Sequence, residues 1–154
     1  MMAEEEKGKK QVQLSGKEVE EIYAAEKQKL NALAQQMNEL NSLIAGIEET
    51  ANAIKELQKQ GSSQILVNLG SGMMIEARIE SFKKIKLPIP GSAFVEKSPE
   101  DALAFLEEQK QTAKKQIAQM QNEFSQIAKQ AEGLGQVIST ARREIAKRRQ
   151  TAKA

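Results

Sequence analysis

From Lys17 to Gln60, apolar side chains recur at alternating spacings of three and four: Val19, Tyr23, Leu30, Leu33, Met37, Leu40, Ile44, Ile47, Ala51 and Ile54. Glu26 is the one charged interruption. A heptad sustained this far predicts a coiled-coil helix, and no proline breaks it. Between residues 61 and 97 the period falls to two and turn residues cluster. Ile65–Leu69 and Met73–Ile79 read as strands around a Gly70-Ser71-Gly72 turn, and Lys83–Ile89 and Ala93–Glu96 as a second pair around Gly91-Ser92. Pro88 and Pro90 predict an edge or a bulge at the third strand. Ser98-Pro99-Glu100-Asp101 then carries the cap, first-turn proline and acids of a helix start. The heptad resumes at Leu103, Leu106, Lys110, Ala113, Ile117, Met120, Phe124, Ile127, Ala131, Leu134, Ile138, Ala141 and Ile145.

This pattern predicts a mainly α fold, a long antiparallel coiled-coil hairpin with two β-hairpins at its centre. The expected organisation is a flexible N-terminal tail over 1–16, a first helix over 17–60, a double-hairpin module over 61–97, a second helix over 98–150 and a short tail over 151–154. Each helix would run roughly 65 to 75 Å. If the second helix returns along the first, residue numbers in facing pairs must have a constant sum. Leu30 with Ile127, Leu33 with Phe124, Met37 with Met120, Leu40 with Ile117 and Ile54 with Leu103 obey that rule. Heptads alone match at any sum differing by seven, but this sum is the one that a closed hairpin requires. Two hairpins are marginal alone and need a partner.

Composition narrows the function. One Tyr, four Phe and no Trp among 154 residues is too little aromatic area for a compact core. Cys and His are both absent, which excludes disulfides, Cys/His zinc sites and Cys or His nucleophiles or bases. A reducing, cytoplasmic location is consistent with that. No apolar run is long enough to span a membrane, and Met1–Lys10 lacks the apolar stretch of a signal peptide. Gly70-Ser71-Gly72 lacks the residues that complete a phosphate loop. Carboxylates lie on solvated helix faces, so no acid/base pair stands out, no cofactor is implied, and an enzyme is not expected.

The order helix, two hairpins, helix resembles the alpha-type subunit of the prefoldin family. Ile65-Leu66-Val67-Asn68-Leu69-Gly70-Ser71-Gly72 is similar to the family's apolar strand with its Gly-x-Gly turn. Phe94-Val95-Glu96-Lys97-Ser98-Pro99, running into Ala102-Leu103-Ala104-Phe105-Leu106, is similar to its strand-to-helix junction. Pro88-Ile89-Pro90-Gly91 departs from a second Gly-rich turn. The resemblance implies a hexamer of two alpha-type and four beta-type subunits in which the hairpins form a β-barrel. It also implies that the coiled coils hold unfolded clients without ATP and pass them to a group II chaperonin.

On this reading Ile65, Leu66, Val67, Leu69, Ile75, Ile79, Ile85, Leu87, Phe94 and Val95 are the assembly residues. The helix ends should fray at Glu26, Gly133 and Gly135 and expose Val19, Ile22, Tyr23, Leu134, Val137, Ile138 and Ile145 to clients. Val19, Tyr23 and Ile138 could equally close the seam. The basic residues Arg142, Arg143, Lys147, Arg148 and Arg149 complement the helix dipole, dock an acidic chaperonin surface, or bind nucleic acid, the last without supporting aromatics. A structural alternative is assembly of this chain with itself into homo-oligomers or filaments.

Overall fold

The computed structural model describes residues 15–152 and contains two long helices with two β-hairpins between them in the chain. The helices are α1 (Gly16–Gln60) and α2 (Pro99–Thr151), and the strands are β1 (Ser63–Gly70), β2 (Met73–Ile79), β3 (Ile85–Ile89) and β4 (Ala93–Lys97). Of the expected N-terminal tail, residues 1–14 lie outside the described residues, Ser15 caps α1 and Gly16 begins it. Residues 153 and 154 also lie outside them.

Each helix begins or ends on a recognisable device. The Glu18 backbone N–H donates to Ser15 Oγ at 3.3 Å, and the Ser15 N–H donates back to Glu18 Oε2 at 2.6 Å. This reciprocal capping box fits Ser-x-x-Glu spacing. The bond from the Ser15 N–H, with a smaller contribution from the Ser15 hydroxyl, favours the charged carboxylate and lowers the Glu18 pKa. Gly61 ends α1 at φ +67°, with its N–H on the Leu57 carbonyl at 3.2 Å. That left-handed cap suits glycine. At the head of α2 the Asp101 N–H donates to Ser98 Oγ at 3.1 Å, and Pro99 is buried at the first helical position.

Contacts divide the chain into two units. One holds Gln36–Met120, and the other holds the helical segments up to Gln35 and from Gln121. In the first, Ile47 and Ile54 of α1 and Ala102 and Ala113 of α2 are buried, with Leu40, Ile44, Leu103 and Ile117 half-buried beside them. Lys110 Nζ lies 3.1 Å from Glu48 Oε1 on the other helix, and Gln58 Nε2 donates to Glu100 Oε1 at 2.8 Å. In the second unit Ile127 and Ala131 are buried, and Arg142 Nη2 reaches Glu20 Oε1 at 2.9 Å. Within each unit the helices run antiparallel, and their heptad positions form the seam.

The hairpins are two separate two-stranded antiparallel sheets, β1–β2 and β3–β4. The β1–β2 loop is the two residues Ser71 and Gly72, at φ 50° and 79°. Positive φ at both positions is the type I′ geometry that matches strand twist. Of the edge or bulge expected at Pro88 and Pro90, the structure shows the edge. β3 pairs with β4 without a shift, with Pro88 opposite Phe94 on a strand that has only one neighbour and so wastes no ladder bond. The bulge lies between Asn68 and Gly70, where Asn68 Oδ1 accepts the Gly70 N–H at 2.8 Å.

Candidate assembly and client-holding surfaces

Directly paired residues in an antiparallel hairpin share a face, and neighbours along a strand alternate. The register therefore sorts the apolar residues. Ile65 pairs with Ala77, Val67 with Ile75, and Ser63 with Ile79, so one face of β1–β2 is apolar nearly throughout. Its Ser63 end is half-buried, whereas Val67, Ile75 and Met73 are exposed by 38%, 52% and 62%. Leu66 lies on the opposite face, across from Glu76, and Leu69 sits in the bulge.

The second hairpin repeats this division. Ile85, Leu87 and Ile89 pair with Lys97, Val95 and Ala93 on one face, and Phe94 lies on the other, opposite Pro88. Lys84 Nζ donates to Glu96 Oε2 at 3.0 Å, and the bond from Lys84 lowers the Glu96 pKa. The ten expected assembly residues thus occupy both faces of the hairpins. Met73, Met74 and Ile89 are exposed and apolar as well and were missed. Met73 extends the period-two row of Ile75, Ala77 and Ile79, which was the available signal.

In the unit formed by the helix segments up to Gln35 and from Gln121, α2 runs through Gly133 and Gly135 without a break. The Tyr23 ring lies against Gly135, where a β-carbon would touch it at 3.4 Å. The Lys27 ammonium stands 5.5 Å from the centre of that ring, within cation–π range. Gly133 has open space around it. Val19, Tyr23, Leu134 and Ile138 are half-buried, while Ile22, Val137 and Ile145 are exposed. Arg142 pairs with Glu20, and Lys147 lies 3.6 Å from Glu144. Arg143, Arg148 and Arg149 are fully on the surface.

Residues 26–144 match the family model of prefoldin subunits. The chain belongs to the prefoldin family. Among curated proteins it is similar to the prefoldin alpha subunits of two archaea. It is 24% identical to that of Thermofilum pendens over 108 residues, covering 70% of this chain and 84% of that protein. To that of Methanococcoides burtonii it is 28% identical over 109 residues, covering 68% and 79%. Its fold is similar to a chain in the cryo-EM structure of filamentous PFD from Methanocaldococcus jannaschii, with a TM-score of 0.67 at 20% identity, covering 75% of this chain and 96% of that one. The prefoldin family match and the alpha-subunit relatives identify an archaeal-type alpha subunit of a chaperone that works in oligomers. Prefoldin hairpins with an exposed apolar face are open sheets in the single chain. Among the described residues no helix is long and apolar enough to cross a membrane, and no cluster of acids is placed to hold a metal ion.

Proposed function

We propose that this chain is the alpha-type subunit of a cytoplasmic, ATP-independent holdase, not an enzyme. In this reading its hairpins join those of single-hairpin beta-type subunits in a barrel of two alpha and four beta chains. The observation that carries it is the apolar face of β1–β2. Val67, Ile75 and Met73 are too exposed for a sheet that ends with the single chain.

Clients would be held at the helix segments up to Gln35 and from Gln121, with Ile22, Val137 and Ile145 exposed for first contact. Val19, Tyr23, Leu134 and Ile138 would be recruited as the seam opens. Transfer to a group II chaperonin would use Arg142, Arg143, Lys147, Arg148 and Arg149 against an acidic surface, with little role for nucleic acid. The test is native mass, alone and after mixing with an archaeal beta-type subunit. A defined hexamer that keeps a denatured client from aggregating supports the reading, and failure to combine overturns it. A second reading is self-assembly through the same hairpins. The filamentous form of the Methanocaldococcus jannaschii relative favours it, and long polymers of this chain alone would establish it.

A further inference from the structure

The seam carries two charged residues, Lys110 in the hairpin-bearing unit and Glu26 in the other. Heptads alone leave the helix alignment ambiguous by seven residues, because each slip again places apolar residues opposite one another. Lys110 removes the ambiguity in its unit. It lies across from Ile47, which is buried at 6%, yet Lys110 itself is only 21% exposed. Its aliphatic stem covers the seam while the ammonium leaves sideways to Glu48 Oε1 at 3.1 Å and to Glu107 Oε2 at 3.8 Å. The Glu48 bond is the main cause of its raised pKa.

Slipping one way by a heptad moves Lys110 across from Leu40, beside the neutral Asn41. Slipping the other way moves it across from Ile54, beside Lys55, a like charge. Within this unit the layers that keep a helical residue on both sides stay apolar in both cases, and of the three alignments only the observed one places an acid directly after the residue facing Lys110; Glu39 precedes Leu40, on the other flank. Glu26 behaves alike. Its side chain is 13% exposed, with Lys29 Nζ 3.0 Å away, and the residue across the seam is the small, buried Ala131. A slip would set this carboxylate against Phe124 or Ile138. A polar residue at one seam position is a known way to fix register at some cost in stability.

We infer that Lys110, through Glu48, and Glu26, through its fit to Ala131, are register locks that select one alignment of the helix pair within their units. The inference does not depend on the holdase reading. The chain has no cysteine, so spin labels on cysteines at the exposed positions Ser42 and Gln116, diluted with unlabelled chain, report alignment by double electron–electron resonance. The unsubstituted chain should give one distance. Lys110→Leu should keep its helix content and melt no lower, but add a population displaced by about 10.5 Å along the axis. The swap of Lys110→Glu with Glu48→Lys should restore a single distance. A single unshifted distance in Lys110→Leu overturns the inference. So does loss of helix in that variant, because an apolar residue would then not be tolerated where the seam should accept it.

Discussion

Ser71 holds φ 50° between two glycines, a conformation that costs a side chain of its kind roughly 1 kcal/mol. Gly72, at 79°, carries the same demand without the cost. Gly72→Ala should therefore cost about 1 kcal/mol or more of stability and lower the denaturant midpoint, whereas Ser71→Asn should hold or raise it, because asparagine accepts the left-handed region. A pair of urea melts decides between these outcomes. Glu18 makes a second residue-scale prediction. Its folded pKa lies below the ordinary value of 4.5 because the cap favours the carboxylate, so the cap's contribution is complete above that value and is lost as pH falls through the lowered one. Lower amide protection factors at Ser15 and Glu18 should follow in that acidic window, and Glu18→Gln, which does not titrate, should show no such step.

At the scale of elements, the two glycines near the end of α2 are not equivalent. Gly133 faces open space in an exposed helix, so Gly133→Ala should stabilise by about 0.5 to 1 kcal/mol through propensity. Gly135→Ala should gain at least as much, because its methyl would rest in ordinary van der Waals contact with the Tyr23 ring, 3.4 Å away. Their melting temperatures, compared side by side, test the contrast. Both helices were legible because a heptad needs only the chain's own order, and Ser98-Pro99 marked the start of α2 in the same local way. The capping box at Ser15 was equally local but was hidden by reading a polar, glycine-containing stretch as tail. The bulge at Asn68 and the division of apolar residues between hairpin faces depend on which residue stands opposite which. Strand composition does not hold that information. Lys110 was visible as a charge in the seam, but Glu48 lies outside the heptad and becomes its partner only once the helices are aligned.

For the whole molecule, assembly and client holding should be separable. Val67→Asp places a charge on the apolar face of β1–β2, so it should abolish the oligomer while far-ultraviolet dichroism shows the helices retained. Native mass measured beside the spectrum checks both. Removing residues 1–24 and 134–154 should do the reverse, leaving the oligomer and eliminating protection of a denatured client, as light scattering would record. Protection that survives the truncation would move the holding surface elsewhere. Tyr23 is the only tyrosine of a chain without tryptophan, and it rests on Gly135 beneath the Lys27 ammonium. Excited near 275 nm, the native chain therefore emits from a single fluorophore at the place where the helix segments up to Gln35 and from Gln121 meet. Its intensity and anisotropy form a built-in, label-free gauge of whether that junction stays shut when a non-fluorescent client peptide arrives.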